Sequence, residues 1–258
     1  LPATDLALLI DAARAAGAIA LGHWRQQPKT WSKSDDTPVT EADLAVDRAL
    51  HATLTAARPG YAWLSEESPD APDRAAHERA FIVDPIDGTR SFAAGDEIWA
   101  HSLAVCEGGQ ITAAVVYLPV SDRLYAAARG QGATLNGTRL RVSARAGVAG
   151  ASLAASRPVL NDRHWQGRAP AFDRRFHPAL SFRMCLVAEG QVDAMLSFRE
   201  TWEWDIAAGA LLIAEAGGTV TDSRGGVLQF NSLSRQSRGI LGAGPALHGD
   251  ILACTAPG

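Results

Sequence analysis

Cysteine is scarce in this chain. Cys106, Cys185 and Cys254 show neither metal-ligand spacing nor a short pairing. An odd number so placed speaks against a disulfide framework or a thiolate metal site, and for reduced thiols in a cytoplasmic setting. Basic runs are missing too: net charge is −4, with no basic tail or stripe, which argues against duplex nucleic acid as a partner. Any anionic ligand must then be met by local positive groups or by metal ions. No uninterrupted apolar run reaches the length of a membrane span. Leu6–Leu21 comes nearest, but Asp11 and Arg14 break it and no basic region precedes it, so neither a span nor a leader is expected. Internal repeats and low-complexity tracts are also absent.

What is present suffices for a sizeable core. The 258 residues are 47% apolar, enough for one large domain or two packed subdomains. Leu6, Leu9, Ile10, Ala13, Gly17, Ala20, Leu21 and Trp24 recur at helical spacing behind Thr4, a helix cap. Residues 25–38 read as a loop. Thr40 then caps a second helix with the stripe Ala42, Ala45, Val46, Ala49, Leu50 and Leu54, and Asp43 and Asp47 one turn apart on its other side. Residues 100–142 read as an antiparallel meander, with a hairpin at Asn136-Gly137. Residues 143–150 are small and mark a boundary. It divides an N-terminal α+β part, 1–145, from a C-terminal α/β part, 146–258. Leu180–Glu189 reads as a helix or buried segment, and Trp204–Ala216 as a helix stopped by Gly217-Gly218. The pattern predicts stacked layers of sheet and helix.

The chemistry concentrates in acids that end strands or begin helices: Glu66, Glu67, Asp84, Asp87 and Asp205. Hard divalent cations take oxygen ligands, and magnesium takes them close and octahedral. In Phe81-Ile-Val-Asp-Pro-Ile-Asp-Gly-Thr89 a strand delivers Asp84, a rigid proline follows, and Asp87 comes three residues on. The Ile86 carbonyl points into the same space. The amides of Gly88 and Thr89 can receive a phosphate if a helix or turn begins there. Two metals about 4 Å apart can clamp an in-line phosphoryl displacement. Asp-Pro-x-Asp-Gly is equally an ordinary turn. A Glu-Glu pair is commonly a solvated surface, and an Asp at a helix start a dipole partner. Composition and spacing alone therefore end at a metal site with phosphate chemistry open.

Four segments together resemble a family. Trp63-Leu-Ser-Glu-Glu-Ser68, Phe81–Thr89 and Trp204-Asp-Ile-Ala-Ala-Gly through Gly218 are similar to three signatures of the inositol monophosphatase superfamily. Pro38-Val-Thr-Glu-Ala-Asp43 matches a fourth element, and all occur in the expected order. The resemblance implies magnesium-dependent, often lithium-inhibited phosphatases with an α/β (α+β) fold, a layered α-β-α-β-α sandwich, and a homodimeric assembly. It implies that Glu66, Asp84 and the Ile86 carbonyl hold one Mg²⁺, and Asp84, Asp87 and Asp205 a second. A weaker third ion would lean on Glu66. It further implies that Gly88 and Thr89 amides receive the phosphate, and that Glu66 or the Asp43–Thr89 pair helps deprotonate the attacking water.

For the ester itself, two features resemble the 3′(2′),5′-bisphosphate nucleotidase branch. One is Glu203-Trp-Asp205; the other is Leu180-Ser-Phe-Arg183, where an arginine can grip a second phosphate in a bidentate way. Ser156-Arg-Pro158 is similar to a third run of that branch but lacks its histidine. Ile86 is the residue commoner in inositol enzymes. The acid those enzymes place on the sugar hydroxyls falls here at Phe198. The expected substrate is 3′-phosphoadenosine 5′-phosphate, a small phosphorylated metabolite, with Glu203, Arg183 and Ser156 as substrate contacts. Inositol 1-phosphate stands second and histidinol phosphate third. A non-catalytic member that binds a nucleotide or a partner is the alternative of another class. Arg90 reads as a surface arginine first and a charge for the approaching ester second, His101 as structural, and Trp99 and Trp202 as packing, with Trp202 also a candidate for lining the pocket.

Overall fold

The computed structural model describes residues 4–32 and 38–256. Among these, the helices are α1 (Asp5–His23), α2 (Glu41–Ala57), α3 (Thr89–Ala94), α4 (Leu180–Ala188), α5 (Glu203–Glu215) and α6 (Pro245–Cys254). The Thr4 hydroxyl accepts the Ala7 amide at 3.2 Å and starts α1. Thr40 and Asp43 close a reciprocal capping box at the head of α2. Within the stretch expected to be loop, Thr30–Ser32 pairs antiparallel with Pro38–Thr40, and residues 33–37 lie outside the described residues.

A seven-stranded sheet runs in the order 62–65, 79–87, 100–107, 110–118, 123–128, 132–135, 138–139. Its first pair is parallel and the rest antiparallel, as the meander predicts. Strand side chains alternate between faces. Phe81, Val83, Leu103, Val105 and Val115 pack with α1 and α2, while Ile82, Ala104, Cys106, Ala114 and Val116 pack with α4 and α5. Burial of both faces is why these strands read as unbroken apolar runs rather than as alternation.

By length and composition α1 is also able to cross a membrane, Asp11 and Arg14 notwithstanding. In this fold it buries Leu9, Ala12, Ala13, Ala16, Gly17 and Ala20. At Gly17 a Cβ would lie 2.6 Å from the Tyr117 ring, so only glycine lets the helix approach the sheet this closely.

A second sheet runs 173–175, 152–154, 194–197, 240–243, 219–221. Ala154, Met195 and Ile240 face α4 and α5; Leu153, Leu196 and Leu241 face Leu247 and Ile251 of α6. The layers are therefore α1 and α2, sheet, α4 and α5, sheet, α6: the expected five-layer sandwich. Helix α5 is apolar all round because it lies between two sheets. The first sheet draws on residues 62–139 and the second on 152–243. The middle helix layer comes from the second half of the chain and packs against both.

Candidate metal and phosphate site

Residues three apart on a regular strand point to opposite faces. Asp84 and Asp87 escape this rule. Asp84 pairs with Ser102 and Asp87 with Ala100, so one extra residue is inserted between the two acids. This bulge turns both carboxylates to one side and absorbs Pro85, which has no amide to give the ladder. His101, opposite the bulge, is completely buried and bonds through Nδ1 to the Pro85 carbonyl. Burial pushes its pKa down to about 4, so the ring is neutral at pH 7 and Nδ1–H donates. The histidine read as structural thus pins the bulge. Trp99 packs edge-on against it, with ring centroids 5.7 Å apart.

Asp205 joins this pair from the first turn of α5. Ser102 fixes that turn, donating its hydroxyl to the Trp204 carbonyl at 2.9 Å. Ligand oxygens of Asp84, Asp87 and Asp205 all lie within 4.8 Å of one another. At that separation two carboxylates repel by about 3.5 kcal/mol for an effective dielectric constant of 20. Burial, then the charges of Glu66, Asp87, Asp205 and Asp43, holds Asp84 well above the usual carboxylate range. Asp205 is raised likewise, by burial and then by Asp87 and Glu66. Burial raises Asp87 too, against the lowering effect of the Ser181 hydroxyl and amide and the Leu180 amide, at 2.5, 2.6 and 3.1 Å. Asp84 Oδ1 is buried with no hydrogen-bond partner among the described residues. An orphaned carboxylate oxygen inside an all-oxygen cluster of like charges fits a hard divalent cation.

Glu66 is half-buried just past strand 62–65, its amide bonded to the Val83 carbonyl at 3.3 Å. Its charge acts on Asp84, Asp205 and Asp43, which places it beside the cluster. The Ile86 carbonyl accepts the Thr89 hydroxyl at 3.0 Å, and the same hydroxyl lies 3.1 Å from Asp43 Oδ1. The other Asp43 oxygen takes the Thr40 amide at 2.8 Å and the Thr40 hydroxyl. Burial raises the Asp43 pKa, opposed by these bonds. Gly88 has φ +94°, a left-handed conformation glycine adopts without strain, and α3 begins directly after it at Thr89. The Gly88 and Thr89 amides thus sit at the helix start that the phosphate expectation required.

The substrate candidates are more scattered. Arg183, buried on α4, feels the charges of Asp87, Arg199 and Asp205, so it borders the acids. Its guanidinium also donates to the carbonyls of His177 at 2.5 Å and Pro178 at 3.3 Å, and lies 4.6 Å from the centre of the Phe176 ring. Glu203 is directed elsewhere: both its oxygens are taken by Asn231 and Ser232. Ser156 is half-buried at the head of the short turn Arg157–Leu160. Phe198 stacks on His164 at 4.5 Å between centroids and meets Trp165 edge-on, a packing role. Trp202 and Trp204 stack on each other at 4.8 Å, and Arg90 is exposed. Ser102 and Ser181, which orient two of the acids, carried no separate signal in the sequence. Their work depends on long-range contacts, though Ser181 lies in the segment that drew attention to Arg183.

The model of the inositol monophosphatase family matches residues 2–256. The chain belongs to the inositol monophosphatase family. An inositol-1-monophosphatase of Rhizobium meliloti is 38% identical over 198 residues, 73% of each chain. A histidinol-phosphatase of Mycobacterium tuberculosis is 38% identical over 212 residues, 75% of this chain and 77% of that one. Among solved structures, the IMPase of Thermotoga maritima superposes with a TM-score of 0.82 at 26% identity, covering 96% of this chain and 95% of that one. Membership makes this chain a phosphoric monoester hydrolase acting on a small phosphorylated substrate. Inositol monophosphatase family enzymes depend on magnesium in general, and the Asp84–Asp87–Asp205 cluster is able to bind a metal.

Proposed function

We propose that the chain is a magnesium-dependent phosphatase of inositol 1-phosphate or a closely similar polyol phosphate. The observation that carries the metal dependence is the orphaned Asp84 oxygen within the triad of buried Asp84 and Asp87 and half-buried Asp205. Glu66, Asp84, the Ile86 carbonyl, Asp87 and Asp205 would hold two or three Mg²⁺ ions. When bound, these ions supply neutralisation of phosphate charge and a lowered pKa for water.

The chain's own groups do the rest. The bulge and Ser181 fix the directions of Asp84 and Asp87. The Gly88 and Thr89 amides receive phosphate oxygens at the start of α3. Water attacks phosphorus and the P–O bond to the alcohol breaks; the leaving alkoxide takes a proton from solvent, Asp43 later returns its proton to solvent, and inorganic phosphate and the free alcohol result. Thr89 Oγ relays the water's proton to Asp43, whose raised pKa suits it as acceptor; Glu66 is the other base in reach.

The substrate choice rests on the names of the relatives, which favour inositol phosphate over the bisphosphate nucleotide. Glu203, engaged with Asn231 and Ser232, no longer speaks for the nucleotide. Arg183 and the aromatic Phe198 keep that second reading in view, because Arg183 borders the acids and Phe198 offers no acid to sugar hydroxyls. Phosphate release from inositol 1-phosphate, 3′-phosphoadenosine 5′-phosphate and histidinol phosphate, each with magnesium, decides among them. A preference for the first supports the proposal; a preference for the second overturns it and gives Arg183 a phosphate. Inhibition by millimolar lithium and a homodimer in light scattering are further expectations of the same reading.

A further inference from the structure

Arg74 lies in the loop between the strands that deliver Glu66 and Asp84, and is 1% exposed. A buried guanidinium must have its charge and donors matched to be tolerated in the fold. Here the matching spans two distant stretches of chain. Nε and Nη2 fork onto Asp70 at 2.6 and 3.2 Å. Nη1 donates to Asn231 Oδ1 at 2.5 Å, and Nη2 to the Ser232 carbonyl at 2.7 Å. Asn231 replies, its amide nitrogen 3.2 Å from the His77 carbonyl. Those same two residues hold Glu203: the Asn231 amide donates to Oε2 at 2.7 Å, and the Ser232 amide to Oε1 at 3.0 Å.

The result is a continuous chain of bonds, Asp70–Arg74–Asn231/Ser232–Glu203. One end is four residues past Glu66 and the other two residues before Asp205. Strand 62–65 is the outer strand of its sheet, so the loop that follows has no neighbouring strand on its far side. We propose that Arg74 is a positioning residue that sets Glu66 against Asp205 through Asp70, Asn231, Ser232 and Glu203. This inference rests on the metal-site reading above and extends it to residues that touch neither ion nor substrate. It also gives Glu203 a task that its place in the Glu-Trp-Asp sequence concealed.

The test is direct binding of Mn²⁺ to the whole chain, followed by electron paramagnetic resonance, for wild type, Arg74→Lys and Asp70→Asn. Lysine keeps the charge but cannot form the fork. Asp70→Asn weakens the fork from its other side and leaves the guanidinium its contacts with Asn231 and Ser232. Circular dichroism confirms folding of each. Changes along a network that touches no ligand directly typically shift binding by about 2–30-fold. Both variants should therefore bind Mn²⁺ more weakly, by roughly that factor. Glu215→Gln is the control: Glu215 clamps the Gly130 and Gly132 amides at 2.8 and 2.7 Å on a remote hairpin. It should lose thermal stability with unchanged Mn²⁺ affinity. Wild-type affinity in both Arg74→Lys and Asp70→Asn overturns the positioning role alone, as does an equal loss in Glu215→Gln. Absence of Mn²⁺ binding by wild type overturns it together with the metal site.

Discussion

Replacing Asp84 with asparagine should make the metal-free protein more stable while abolishing its activity. Asp84 is 1% exposed, one of its oxygens has no partner, and two further carboxylates lie within 4.8 Å. At pH 8 without metal it either stays ionised, repelled by about 3.5 kcal/mol per neighbour, or takes up a proton at a comparable cost. Asparagine removes both penalties in nearly the same volume. Asp84→Asn should therefore gain roughly 3 kcal/mol, some 6–12 °C in Tm for a chain of this size.

The pH dependence has a definite sign. Asp84 and Asp205 are raised in the fold, so the folded protein binds protons that the unfolded chain releases. Chelated wild type therefore gains stability from this cluster as pH falls from 8 towards the ordinary carboxylate range, and the variant gains less. Scanning calorimetry in chelator at pH 8 and pH 6, on both proteins, measures the effect. An Asp84→Asn protein less stable than wild type in chelator at pH 8 refutes the reasoning.

Three further outcomes follow from the geometry. His101, with its pKa lowered to about 4 from 6.5, contributes stability that is complete above pH 6.5 and declines as pH falls through 4, by about 3 kcal/mol in all. His101→Asn keeps a donor for the Pro85 carbonyl without that titration, so denaturant midpoints at pH 7 and pH 4.5 should differ less for it than for wild type. Thr89→Val removes the hydroxyl between Asp43 and Ile86 and should lower kcat about 10²–10⁴-fold with little change in Tm; a kcat within a few-fold of wild type rules out the relay. Asp87→Asn should abolish turnover and keep the fold, since its remaining carbonyl oxygen can still accept the Ser181 amide and hydroxyl, and only the Leu180 amide, which donates to the other oxygen, loses its acceptor. Retained turnover would sink the two-metal assignment.

The acids were legible in the sequence because each ends a strand or opens a helix, and those boundaries have local signals. Thr40 announced its cap, and Trp204–Ala216 announced a helix by its length and its Gly-Gly stop. The bulge was not legible. The rigid Pro85 between them allows Asp84 and Asp87 to converge, but the inserted residue that turns both to one side shows only in the pairing with Ser102 and Ala100. Glu203 was misplaced for the same reason. Asp205, two residues on, belongs to the acid cluster, but the bonds of Glu203 run to Asn231 and Ser232, twenty-eight and twenty-nine residues away. Asp43 and Asp47 read as a polar helix face, yet both are buried, held by Thr40 and Thr89 in one case and by Ser65 and Ser68 in the other. Burial of a carboxylate is decided by partners that periodicity does not reveal.

The most direct measurement is phosphate release from inositol 1-phosphate by the purified protein, before chelation, in excess chelator, and after Mg²⁺ is restored. Release that stops in chelator and returns with magnesium is the predicted result. Undiminished release in chelator contradicts the assignment of Glu66, Asp84, Asp87 and Asp205 as the ligands on which the reaction depends.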